Sequence, residues 1–296
     1  MIRLGVIGLS KGNGHPYSWS AIFNGYDNAS MERCGFPAIP RYLERQKFPE
    51  DAIAEARVTH VWAQKSEIAL QISTAANIEN VVACYTDMIG KVDGILLARD
   101  DAETHYEMAK PFLDAGLPIY IDKPLALSVA GASAIFDLQR YPGQVFTCSA
   151  LRYAKEFQLS DSDKLHIGRL RYIHATVPQD WDKYAVHVIE PILMLAGDVG
   201  QREWSQAWQN GNSISLATRF SDGLEVIISA LGDARAPIAV KVVGDQGWKD
   251  LFFEDSFFAF RKALSEFVQG IIHHDVRVEP AFVLNVIDLI ECGRAR

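Results

Sequence analysis

The sequence predicts an α/β fold in two domains, a doubly wound parallel sheet over about residues 1–150 and, over 151–296, an α+β domain with a predominantly antiparallel open sheet. Three observations predict it. Strand-like and helix-like segments alternate through the first 150 residues, an order that calls for parallel strands joined by crossover helices. After about Leu151 strand-like runs follow one another, as in a sheet with helices on one face only. The 296 residues, 49% hydrophobic and 22% charged, suffice for two cores.

The elements follow in order. Ile2–Ile7 reads as a short buried strand ending in a glycine cluster, and Pro16 suits the first turn of a helix over about Tyr17–Asn24. Residues 26–56, with Pro37, Pro40 and Pro49, read as an insertion with short helices near Arg41–Gln46 and Glu50–Ala56. Strands are expected at Val58–Ala63, Val81–Cys84, Gly94–Ala98, Leu117–Ile121 and Val145–Ser149. Between them come helices opened by Ser66, over Ala102–Ala115 with Gly116 as stop, and from Ser128 to about Arg140. In the second half, strand-like runs are Leu170–Val177, Glu203–Gln209, Ser213–Phe220, Leu224–Leu231 and Ile238–Val243, with a hairpin turn at Ser221-Asp222-Gly223. Helices at Tyr184–Leu195, Ser256–Ile272 and Pro280–Gly293 would cover that sheet.

Bulk properties exclude several classes. A net charge of −8 disfavours a general nucleic-acid or anionic-membrane surface, though not a local basic pocket. No run of about 18 apolar residues spans a membrane, and Met1-Ile2-Arg3-Leu4-Gly5 goes straight into a strand pattern rather than a signal peptide, so a cytoplasmic protein is expected. Cys34, Cys84, Cys148 and Cys292 lie far apart and read as buried reduced thiols. His273-His274-Asp275 suggests no third metal ligand nearby, so no metal is expected, and no nucleophile elbow or catalytic cysteine context points to covalent hydrolysis.

Gly8-Leu9-Ser10-Lys11-Gly12-Asn13-Gly14 lies between a strand and a helix, the context of a phosphate-binding turn. Glycines let the backbone approach a pyrophosphate, and the helix start supplies N–H groups and the positive end of a dipole. Ser10 and Asn13 stand at the second and third positions of the G-x-G-x-x-G fingerprint of Rossmann domains. At the end of the second strand the acidic residue that would bind a ribose 2′-hydroxyl is absent; Gln64, Lys65 and Ser66 stand there, as acceptors of a 2′-phosphate or as a solvated loop. The sequence therefore leans to NADP over NAD.

Ile121-Asp122-Lys123-Pro124-Leu125-Ala126 resembles the glucose–fructose oxidoreductase / inositol dehydrogenase family (Gfo/Idh/MocA), whose members carry a Glu-Lys-Pro or Asp-Lys-Pro signature here. Ala109–Ile121 and Ala150-Leu151-Arg152-Tyr153 also look like the family, as does Tyr184-Ala185-Val186-His187-Val188-Ile189-Glu190, with its His followed three residues on by an acid. The likeness covers essentially the whole chain in order of elements and is specific in the first 155 residues. Two features depart: Lys183 stands four residues before His187, where many members have Asp, and Arg99-Asp100-Asp101 replaces a Thr-Pro-Asn run, with His105 following as expected.

The resemblance implies an NAD(P)-dependent oxidoreductase moving a hydride to or from a hydroxyl or keto carbon of a sugar, sugar derivative or nucleotide sugar. It gives Lys123 the polarising role and His187 the acid–base role, which they could also share or exchange. Gly8, Ser10, Gly12, Asn13, Gly14, Gln64, Lys65, Ser66, Ala98, Arg99, Asp122 and Lys123 are the expected cofactor contacts; Arg152, Tyr184 and Glu190 are the substrate contacts, although Arg152 could instead pair with Glu156 and Tyr184 could simply pack. His15-Pro16-Tyr17-Ser18-Trp19 either lines the cofactor or substrate mouth or packs on the insertion. A sheet face left over in the second domain points to a homodimer or homotetramer. A non-catalytic dinucleotide-binding sensor and an enzyme recycling a tightly held cofactor are the other functions this fold could serve.

Overall fold

In the computed structural model, which describes residues 1–294, Ile2–Ile7 forms β1 and buries Leu4, Val6 and Ile7 completely. A strand so buried takes parallel neighbours covered by helices. They are Ala56–Trp62 (β2), Asn80–Val81 (β3), Gly94–Leu97 (β4), Ile119–Ile121 (β5) and Val145–Phe146 (β6), all parallel, in the order β3-β2-β1-β4-β5-β6. Chain order reverses between β1 and β4, the switch point beside which such sheets bind ligands at their C-terminal edge.

The chain packs as two compact units. The first comprises 1–126, 130–148 and 260–280. The segment from Phe260, inside the helix Ser256–His273, belongs here rather than over the second sheet, where the sequence pattern places it. Its apolar side decides this: Phe267 lies 5.8 Å from both Tyr120 and Phe146, and Ile271 covers Gly94. In the insertion, helices Asn28–Glu32 and Ala38–Leu43 bury Met31, Ile39 and Leu43. Residues 50–55, expected as helix, form turns that lead into β2.

The second unit, which takes in 127–129, 149–259 and, among the described residues, 281–294, holds Leu170–Val177 (β7), Arg202–Asn210 (β8), Ser213–Phe220 (β9), Glu225–Ala230 (β10), Ala239–Gly244 (β11) and Trp248–Phe252 (β12). Their order is β12-β11-β7-β10-β9-β8, antiparallel except for the pair β7–β10. The hairpin between β9 and β10 turns at Gly223, whose φ of 90° suits a residue without Cβ. Helix Val186–Ala196 packs on β7, preceded by the separate short helix Trp181–Tyr184. Among the cysteines, Cys34 and Cys148 are buried, whereas Cys84, expected inside, is exposed. No described helix is long and apolar enough to cross a membrane.

Candidate functional site

β1 runs into the turn Gly8–Gly14, and helix His15–Asn24 follows with Pro16 in its first turn. A Cβ at Gly8 would lie 2.2 Å from Pro16 Cγ, and one at Gly14 2.6 Å from Ile39. Those two glycines are close-packing positions. Gly12 instead supplies a φ of 84°, and a Cβ there would meet nothing within 4 Å, so the tip of the turn is open.

The polar side chains of the turn are tied to neighbouring strand ends. Ser10 Oγ donates to Asp100 Oδ1 at 2.6 Å and accepts the Asp100 N–H at 3.1 Å. Asn13 donates to Asp122 Oδ2 at 2.7 Å and accepts the His15 N–H at 2.8 Å. His15 Nδ1 lies 2.5 Å from the same Asp122 oxygen, its ring stacked on Trp19 at 4.9 Å. Gln64 accepts the Leu9 N–H at 2.9 Å and donates back to the Leu9 carbonyl, which Arg99 also reaches at 3.3 Å. Burial opposes ionisation of Asp122, but the charges of His15 and Lys123 and the hydrogen bonds from His15 and Asn13 outweigh it and hold the carboxyl down to about 2. An ionised carboxylate only accepts, so His15 Nδ1 donates. Lys123, next in the chain, is 6% exposed.

The second unit carries its own polar cluster. His187 and Glu190, three residues apart on helix Val186–Ala196, share a face. Ser149 N–H donates to Glu190 Oε1 at 2.6 Å, and Ser149 Oγ lies 2.9 Å from His187 Nδ1. Arg152 Nη1 lies 3.5 Å from Glu190 Oε2, and its guanidinium sits 4.6 Å from the Phe282 ring. Arg152 thus pairs with Glu190, whereas Glu156 accepts the Asp255 N–H. Burial pushes the Glu190 carboxyl up to about 7, exceeding the opposing pull of Arg152 and of the Ser149 N–H. Tyr184 meets His187 edge-on at 5.5 Å.

Residues 2–149 match the model of an oxidoreductase family with an NAD-binding Rossmann fold, Gfo/Idh/MocA. The chain belongs to the Gfo/Idh/MocA family. No curated protein matches it. Among solved structures, it resembles a myo-inositol 2-dehydrogenase from Lactobacillus plantarum (TM-score 0.74, 15% identity, 99% of this chain and 96% of that one). It also resembles a scyllo-inositol dehydrogenase from Lactobacillus casei holding NAD(H) and scyllo-inositol (0.71, 13%, 99% and 95%). A third is a Synechocystis biliverdin reductase in complex with biliverdin and NADP+ (0.69, 15%, 99% and 98%). At these identities the likeness is one of fold.

Within this Gfo/Idh/MocA chain the structure gathers Ser10, Asn13, Gln64, Arg99 and Asp122 around one turn. Ala98 continues β4 beside them, its N–H donating to Ile7 at 2.9 Å. Lys65 and Ser66 stay exposed at the end of β2, with Ser66 the first helical residue rather than its cap. Lys183 lies within the short helix Trp181–Tyr184, its N–H donating to the capping Asp180 at 3.0 Å. Among the described residues no three His, Cys, Asp or Glu side chains form a metal-binding group. Sequence reasoning left His15 without a definite role and missed Ser149. The available signals were His15 directly after the glycine turn and Ser149 directly before Ala150-Leu151-Arg152-Tyr153.

Proposed function

We propose that this chain is an NAD(P)-dependent dehydrogenase or reductase acting on a hydroxyl or keto carbon of a sugar, sugar derivative or nucleotide sugar. The observation that carries it is the buried Asp122-Lys123 pair at the end of β5, tied by Asn13 and His15 to the glycine turn after β1. The turn fits a dinucleotide: its tip at Gly12 is clear, a helix of ten residues begins behind it, and it stands at the switch point of the sheet. Gly8, Gly12 and Gly14 would hold the pyrophosphate, with Ser10, Asn13, Ala98, Arg99 and Asp122 shaping the walls. The dinucleotide supplies the hydride acceptor or donor. Lys123 stabilises negative charge on the substrate oxygen, and His187 takes up or returns its proton. Tyr184, which meets His187, and the Arg152–Glu190 pair shape the substrate side.

The test is a panel of sugars and nucleotide sugars followed by nicotinamide absorbance. Lys123→Met should leave dinucleotide binding largely intact and lower turnover by about 10²–10⁴. His187→Ala should act similarly, and the double variant should lose much less than the product of the two effects, because one proton-transfer unit is dismantled. Full activity of Lys123→Met would sink this mechanism; dinucleotide binding without turnover across the panel would favour a sensor.

The same reading extends to the cofactor and the assembly. Gln64 is engaged by Leu9, so Lys65 and Ser66 carry recognition of a 2′-phosphate, and NADPH should bind more tightly than NADH. Lys65→Ala should narrow that gap by about 1.5–3 kcal/mol in calorimetry, the range for a charge-assisted hydrogen bond. A parent protein preferring NADH would overturn the assignment. The assembly is a homodimer or a homotetramer.

A further inference from the structure

We propose that Ser149 is the positioning residue for His187, holding the imidazole through Nδ1 so that Nε2 is the nitrogen that exchanges a proton with substrate. The inference rests on His187 being the acid–base group, as proposed above. Ser149 is completely buried and its place is fixed from two sides. Its N–H is held by Glu190 at 2.6 Å, and its Oγ accepts the Leu151 N–H at 3.2 Å. Glu190 is in turn paired with Arg152. The hydroxyl keeps its hydrogen and a second lone pair for His187 Nδ1 at 2.9 Å.

That chemistry suits a ring that must run in both directions. A carboxylate here could only accept, and would favour the charged ring over the neutral one. A hydroxyl donates to Nδ1 when the proton sits on Nε2, and accepts from Nδ1–H when Nε2 is bare or when both nitrogens are protonated. The lysine at position 183 has no acceptor to offer. In the oxidative direction, the substrate carbon would lose its hydride to a bound oxidised nicotinamide while the substrate oxygen would lose its proton to Nε2, leaving the ketone and an imidazolium. The imidazolium Nδ1–H is then accepted by Ser149, which keeps its own proton throughout. Reduction reverses each transfer.

The experiment is nitrogen-15 NMR of histidine-labelled protein without cofactor, the His187 ring being assigned by its loss in His187→Ala. Ser149→Ala should shift the His187 ring nitrogens and redistribute the tautomers, and Ser149→Thr, which keeps the hydroxyl, should restore them. In turnover, Ser149→Ala should lower kcat by about 10²-fold, the cost of a misplaced reacting group, with KM for the dinucleotide unchanged. Unchanged His187 ring shifts in Ser149→Ala would overturn the proposal. Should that variant not fold, Ser149→Cys, with a weakly donating thiol, takes its place under the same criterion. The two readings fail separately: full turnover in His187→Ala removes the acid–base role whatever the ring spectrum shows, whereas unchanged ring shifts remove only the part given to Ser149.

Discussion

Asp122 and Glu190 are both buried carboxyls, and their surroundings drive them in opposite directions. Asp122 accepts three hydrogen bonds, from Asn13, His15 and the Lys123 N–H, beside the charges of His15 and Lys123, and is held at about 2 against an ordinary 3.8. Glu190 has one guanidinium at 3.5 Å and one N–H, and burial carries it to about 7 from 4.5. Linkage turns this into two pH signatures. The ionised Asp122 stabilises the fold above pH 3.8, and that stabilisation disappears as pH falls towards 2. Asp122→Asn should therefore be less stable than the parent at neutral pH, with the gap closing through that window. Glu190 binds its proton more tightly folded than unfolded, so its contribution is full below pH 4.5 and is lost as pH rises to about 7. The stability of the parent relative to Glu190→Gln should fall across that range in thermal melts, and a flat difference would contradict the burial argument. The placing of Asp122 and Lys123 at the end of β5 was legible in Asp-Lys-Pro. The partner His15 was not, because the contact joins residues 107 apart and no local pattern encodes it.

At the scale of elements, the alternation of strands and helices was readable because each buried parallel strand is a short apolar run between turn residues. What escaped were pieces whose burial depends on distant partners. β12 is a five-residue strand with a mostly exposed pattern, made a strand by pairing with β11. The helix Ser256–His273 is amphipathic in either setting, and only the aromatic cluster of Tyr120 and Phe146 shows which sheet its Phe267 covers. The glycine turn gives the sharpest prediction here. Gly8→Ala drives a Cβ into Pro16 and must displace the first turn of the following helix. It should cost about 1–3 kcal/mol, the usual penalty of overpacking, and weaken dinucleotide binding. Gly12→Ala meets no neighbour and carries only the positive-φ penalty of roughly 1–2 kcal/mol. Chemical denaturation and calorimetric titration would separate the two, and intact dinucleotide affinity in Gly8→Ala would contradict the cradle assigned to this turn.

For the whole molecule the open question is what covers the outer face of the second sheet. On β9, Ile214, Leu216, Thr218 and Phe220 are buried, so Ser215, Ala217 and Arg219 mark the opposite face. Strand register carries that face across the sheet. One row reads Trp204, Arg219, Glu225, Tyr172, Val243 and Trp248, and another Trp208, Ser215, Ser229, Thr176, Ala239 and Phe252. Its aromatic ends are exposed, Trp204 and Trp208 by 45%, Trp248 by 57% and Phe252 by 49%. These exposed aromatic ends, flanking a mixed polar centre, are the surface to which the proposed association is assigned. Its charges are matched within the face: Arg219 lies 3.9 Å from Glu225, and Lys241 lies 3.2 Å from Asp250 while sitting 4.3 Å above the Trp248 ring. A second copy can therefore approach without local repulsion, even though each chain carries a net −8. A self-complementary contact on this face would be two-fold and would give the proposed dimer, which a further interface could double. Light scattering should report at least a dimer at micromolar concentration. Trp208→Glu should shift the population to monomer while leaving the monomer folded, because the side chain points away from the helix-covered core. A parent protein that stays monomeric across micromolar concentrations would refute the assembly, and a dimer indifferent to Trp208→Glu and Trp248→Glu would move the interface to another surface.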